Sequence, residues 1–263
     1  MLLSNKIAVV YGGGGPIGGA VSRAFAREGA KVFLAGRTRE SLDRVAEEIT
    51  ASGGVAEAAQ LDALDERAVD EHAEAIAEEA GGIDVSFNAV GRGDIHGIPV
   101  VDMPFDDFVR PVMIALRSQF LTARAAAKHM VKRGSGVILT ITATTARMAI
   151  PEVGGTGVAF DAHESLCRQL ASELGPKGIR VAWLLTTGIP EALSAPEGAF
   201  PDYGTGTGGM SRQELVAWME GKTMLKRLTT LREVGNAAAF LASDNASAMT
   251  GSSTNLTCGS VPG

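Results

Sequence analysis

The sequence predicts an α/β fold, a doubly wound parallel sheet with helices on both faces, in one domain over residues 1–263. Three observations carry this. "KIAVVYGG", "AKVFLAGR", "IDVSFNAVG", "SGVILTIT" and "GIRVAWLLT" are short apolar runs bounded by Gly or polar residues, the pattern of strands buried on both faces. Amphipathic stretches such as Gly18–Glu28, Glu40–Ala51 and Glu66–Glu79 alternate with them, which implies right-handed crossovers. A glycine-rich turn joins the first strand to the first helix.

That turn reads "YGGGGPIGGAVSRAFAREGA", and Gly13, Gly15 and Gly18 satisfy G-x-G-x-x-G between strand and helix. In this context backbone amides and a helix N-terminus hold a pyrophosphate. Pro16 fits the first helical turn, where its missing N–H costs nothing. The second strand ends in Gly36 where a carboxylate would bind a free ribose 2′-hydroxyl. Arg37, Thr38 and Arg39 follow, offering positive charge and a hydroxyl suited to a 2′-phosphate; the plainer alternative is solvated arginines at a helix start. NADP(H) is therefore expected in preference to NAD(H). After the last long apolar run comes "SAPEGAFPDYGTGTGG", rich in Gly and Pro. Together with the residues up to 225 it is read as a mobile substrate lid over 194–225, or else as a disordered excursion without a role.

Taken in order, these motifs resemble the short-chain dehydrogenase/reductase family, a Rossmann-type fold, over nearly the whole chain. The family's loop T-G-x-x-x-G-x-G is matched at Tyr11, Gly12, Pro16 and Gly18, with two of its four letters changed. In "LDALDE" the resemblance makes Asp62 the partner of the adenine amine, with Ala63 beside it. "FNAVG" stands where the family has N-N-A-G and keeps Asn88 and Gly91. "MLKRLTTLREVGNAAAFLASDNASAMTGSSTNL" resembles the closing helix and last strand. The cofactor contacts so implied are Gly12, Gly15, Ile17, Gly18, Arg37, Thr38, Asp62, Ala63, Asn88, Ala89, Gly91 and Ile189.

The family's catalytic set is missing. Its members reduce a carbonyl with a proton-donating tyrosine, a lysine that lowers the tyrosine pKa and holds the nicotinamide ribose, a serine and an asparagine. Here the asparagine slot holds Ala115, the serine slot Ala143, the tyrosine slot Thr156 and the lysine slot Phe160. "LASELGPKGIRV" downstream fixes the register. The only tyrosines are Tyr11 and Tyr203, with Gly15 and Thr207 four residues on, so no Tyr-x-x-x-Lys exists. The wider spacing of the enoyl-reductase branch would fall on Val153 and Phe160. Without its general acid a carbonyl reduction slows by about 10²–10⁴.

Thr142, Thr144, Thr145 and Thr156 bring hydroxyls to the site, but an aliphatic hydroxyl is a poor acid. His163 shares a helix face with Thr156 and Phe160, and is either a histidine in a helix interface between subunits or a catalytic group. Tyr203 is either an acid carried by the lid or a loop aromatic. Trp218, Met219 and Met224 line a hydrophobic pocket or pack in the core, while Asp161 and Glu164 are expected to be solvated.

A net charge of −6 argues against an electrostatic nucleic-acid binder and against an acidic membrane surface. Cys167 and Cys258 have no metal-ligand spacing, so no metal is expected. The readings carried forward are an NADP(H)-dependent oxidoreductase acting without the proton relay on an activated alkene, imine or carbonyl, and a silent NADP(H)-binding pseudoenzyme partnering an intact reductase. A non-redox enzyme or a cofactor-free scaffold has less support. A small-molecule substrate, a cytoplasmic location and a homo-oligomer (dimer or tetramer, with a mixed oligomer open) are expected, the last from the apolar helices around Ala115 and Leu166.

Overall fold

The computed structural model describes residues 1–193 and 209–262. Seven strands alternate with helices along the chain: β1 (Ile7–Tyr11), α1 (Pro16–Arg27), β2 (Lys31–Gly36), α2 (Arg39–Ala51), β3 (Val55–Gln60), α3 (Glu66–Ala80) and β4 (Val85–Asn88). Then come α4 (Phe105–Arg133), β5 (Gly136–Ala143), α5 (Thr156–Leu174), β6 (Ile179–Thr186), α6 (Arg212–Gly221), α7 (Leu231–Ala242) and β7 (Ser253–Leu256). The strands form one sheet in the order β3-β2-β1-β4-β5-β6-β7, and every pairing is parallel.

The apolar runs are continuous because the sheet is covered on both sides. Along β1, Ala8 and Val10 face one layer, where Val21, Phe25, Leu42, Val234 and Leu241 pack. Val9 and Tyr11 face the other, against Val69, Ile76, Leu121, Met130 and Cys167. The two edge strands have a different signature: β3 mixes exposed and half-buried residues and carries Glu57, and β7 is half-buried apart from exposed Asn255. Neither shows the unbroken apolar pattern that marks the five central runs.

Helix α1 begins two residues earlier than the periodicity predicts, because Pro16 occupies its first position with Gly15 as N-cap. In α6 and α7, Ser211 with Glu214 and Thr230 with Glu233 form capping boxes. Strand order reverses between β1 and β4, and the crevice at their carboxyl ends is where an open α/β sheet takes its ligand.

Candidate active site

A cavity of about 680 Å³ opens at that crevice, over the carboxyl ends of β4, β5 and β6. Its approach is the glycine turn. Gly12 has φ +77°, and a Cβ there would stand 2.5 Å from the Ala89 carbonyl oxygen at the end of β4. A Cβ on Gly18 would strike the Gly12 carbonyl, so helix and turn touch backbone to backbone. Gly15 differs: its φ is −77° and a Cβ would meet nothing nearer than 3.4 Å. Neither strain nor protein crowding requires glycine at that position, which leaves the backbone at the α1 N-terminus open to close approach from the crevice.

Of the expected cofactor contacts, Ile17, Asn88, Ala89, Gly91 and Ile189 line the cavity. Asn88 is held by its Nδ2 donating to Thr122 Oγ1 at 3.2 Å and its Oδ1 accepting from the Val90 N–H at 2.9 Å. Gly12, Gly15, Gly18, Arg37, Thr38, Asp62 and Ala63 lie outside the cavity lining, on the turn and past the ends of β2 and β3. Arg37 and Thr38 are exposed, and Arg37 has no carboxylate partner among the described residues. Arg39 is spoken for: its Nε stands 2.8 Å from Asp43 Oδ1. Asp62 Oδ1 accepts the Leu64 N–H at 2.9 Å, closing a turn at the end of β3. Tyr11 is wholly buried under α3, edge-on to His72 at 6.2 Å, and burial pushes its phenol far above the usual range.

Ala115, Ala143, Thr156 and Phe160 converge on the one cavity, as do Thr142, Thr144, Thr145 and His163. Around Thr156 the loop after β4 supplies side chains that motif reading passes over. Thr156 donates its hydroxyl proton to Asp94 Oδ1 at 3.2 Å and accepts from His96 Nε2 at 2.9 Å, which assigns the proton to that ring nitrogen. Arg92 lies over Phe160, its guanidinium carbon 3.8 Å from the ring centroid, with Nη2 3.5 Å from Asp94 Oδ2. The segment "RGDIH" directly after Gly91 was the available signal: two charges and a histidine beside a motif that ends in the crevice.

His163 is 3% exposed, and neither ring nitrogen has a partner among the described residues. Burial pushes its pKa down to about 3, with the nearby Arg92 charge adding to the effect. The histidine is therefore neutral, and it lies inside one chain against the cavity rather than in an interface between subunits. Burial also lowers the His96 pKa, with Asp94 opposing. Glu164 corrects a second expectation. It is 3% exposed rather than solvated, accepting from Thr142 Oγ1 at 3.0 Å and facing Arg147 at 3.4 Å and Arg168 at 3.9 Å. Asp161 is exposed.

The far wall is apolar. Ile150, Val153 and Leu193 meet Leu215, Trp218 and Met219 from α6, whereas Met224 is 67% exposed and absent from the lining. Tyr203 and residues 194–208 of the expected lid lie outside the described residues. No helix among the described residues is long and apolar enough to cross a membrane.

Residues 14–260 match the family model described as enoyl-(acyl carrier protein) reductase. An uncharacterized oxidoreductase of Bacillus subtilis is 32% identical over 253 residues, 95% of this chain and 88% of that protein. The 7alpha-hydroxysteroid dehydrogenase of Escherichia coli K12 is 30% identical over 260 residues, 98% of this chain and 95% of that protein. A solved structure of a 7alpha-hydroxysteroid dehydrogenase complexed with NADH and 7-oxo glycochenodeoxycholic acid superposes with TM-score 0.85. It is 29% identical and covers 98% of this chain and 94% of that one.

Proposed function

The chain belongs to the short-chain dehydrogenase/reductase family of oxidoreductases, and we propose that it binds NADP(H) and reduces an electron-poor C=C or C=N bond without a tyrosine acid. The observation that carries this is the substitution at the reacting end. Thr156 is tied between Asp94 and His96, and Phe160 lies under Arg92, so no phenol reaches the cavity among the described residues. Bound NADPH supplies the hydride.

Gly12, Gly15 and Gly18 would hold the pyrophosphate and Asp62 the adenine side. Arg37 supports the 2′-phosphate preference, with Gly36 presenting no carboxylate beside it. A 7-oxo group, as in the relative's complex, needs a proton on its oxygen as hydride arrives. An iminium carbon needs none, because its nitrogen simply becomes a neutral amine. An activated alkene passes its charge to an attached acceptor group and takes its proton from water afterwards. The apolar wall of Ile150, Val153, Trp218 and Met219 excludes bulk water and favours a substrate with a hydrophobic body. With α6 as its described part, the stretch 194–225 is proposed as the cover of that wall. Exposed Met113 and Phe120 on α4 and Val158 on α5 support a homo-oligomer. Two free cysteines support a reducing, cytoplasmic setting.

The test is NADPH oxidation followed by absorbance with matched panels of activated alkenes, cyclic imines and ketones. Turnover of an alkene or imine with ketones slower by at least about 10² is the expected result. Comparable ketone reduction contradicts the reading. Tight NADPH binding with no turnover of any panel favours the silent subunit, for which the alanines at 115 and 143 are the supporting observation.

A further inference from the structure

A dinucleotide across the switch point of an open parallel sheet sets its two nucleosides on opposite sides of the crevice. With Arg37 and Asp62 on the β2–β3 side, the second ribose and its base have to enter the cavity over β4, β5 and β6. Arg92 is the one lysine or arginine among the described residues lining that cavity. Its side chain is only 18% exposed.

Two features show that its hydrogen bonding is unfinished. The Nε atom is buried without a partner among the described residues, and Asp94 approaches Nη2 only to 3.5 Å while its other oxygen takes the Thr156 hydroxyl. The Phe160 face attracts the cation but accepts none of its N–H bonds in the way an oxygen would. Both nitrogens of neighbouring His163 are likewise unpartnered among the described residues. Buried donors of this kind are completed by water or ligand. A ligand carboxylate would compete with Asp94 for the guanidinium, whereas a pair of neutral hydroxyls accepts the free N–H groups and leaves that ion pair in place.

Given the dinucleotide proposed for this crevice, we infer that Arg92 is a positioning residue for its second ribose, donating to the ribose hydroxyls while Phe160 holds the guanidinium against the cavity wall. The cation reaches the site from the loop after β4 and rests on the helix α5 residue that carries no charge of its own.

Adenosine 2′,5′-bisphosphate ends before the second ribose, which makes it the matched control for NADPH. Calorimetric titration of both into the wild-type protein, R92M and R92K separates the roles. The expected result is an NADPH affinity about tenfold or more weaker in R92M and intermediate in R92K, with adenosine 2′,5′-bisphosphate changed less than about twofold. Should R92M fail to fold, F160L removes the platform instead, and the same split between the two ligands is expected. Unchanged NADPH affinity, equal loss of both ligands, or tighter NADPH binding in R92M (an arginine that plugs the cavity) overturns the inference. Wild-type protein that binds NADPH no better than the fragment overturns it too, while leaving the nucleotide site standing. Binding of neither ligand by the wild-type protein removes the dinucleotide reading itself.

Discussion

At the residue scale, the reacting end of the cavity is defined by groups that come from different elements and complete one another. His163 is strongly perturbed among them, neutral because its buried site disfavours the imidazolium. Its folded pKa of about 3 lies below the ordinary 6.5, so the unfolded chain takes up a proton first as pH falls. Stability contributed by neutral His163 is thus present above about pH 6.5 and is lost progressively down to about pH 3, by about 1.4 kcal/mol per unit. His72, lowered to about 4 by burial, acts in the same direction. Glu233, depressed to about 2 chiefly by Arg227, contributes stability that is present above about pH 4.5 and is lost as pH falls from there toward 2. Melting between pH 6.5 and 4.5 therefore isolates the histidines. The H163L variant should lose about 2 kcal/mol less than wild type across that span, and superimposable pH profiles would contradict a buried neutral histidine.

Much of this cluster was beyond motif reading. Ala115, Ala143, Thr156 and Phe160 could be placed because a strand and two helices of fixed register carry them, and all four meet in the cavity. Arg92, Asp94 and His96 sit on a loop of irregular backbone, where no periodicity says which way a side chain turns. Glu164 was misread for a different reason. A carboxylate on a helix is ordinarily solvated, and here Thr142 of β5 and two arginines make burial tolerable.

At the scale of elements, the turn between β1 and α1 separates glycines required by the fold from one, Gly15, that the fold leaves free and that the proposed pyrophosphate site would use. Gly12 needs a positive φ and a close approach to Ala89, so G12A should cost about 1–3 kcal/mol in denaturant unfolding. Gly15 has an extended backbone, open space and the N-cap position of α1, where serine is favoured. G15S should keep or raise the stability while weakening NADPH binding at least about tenfold. Unimpaired NADPH binding by G15S would mean that no phosphate approaches this backbone. The central strands were legible because burial on both faces leaves continuous apolar runs; β3 and β7 leave no such run, because an edge strand shares its surface with solvent, and the last strand could be placed only through the family resemblance of its segment.

At the scale of the molecule, a seven-stranded parallel sheet supports a cavity at the point where its strand order reverses. The features proposed to hold a dinucleotide there are the glycine turn, an exposed arginine at the end of β2, and Asn88 clamped to Thr122. Two letters of the glycine motif differ, at Tyr11 and Pro16, but the larger replacement is at the reacting end, where a threonine–aspartate–histidine cluster and a stacked arginine stand in place of an acid. Retention of the binding half with replacement of the reacting half is the central claim. It is tested most directly by calorimetric titration of the wild-type protein with NADPH and, separately, NADH. Micromolar NADPH binding with NADH weaker by about tenfold or more is the predicted result. Failure to bind either dinucleotide would contradict it.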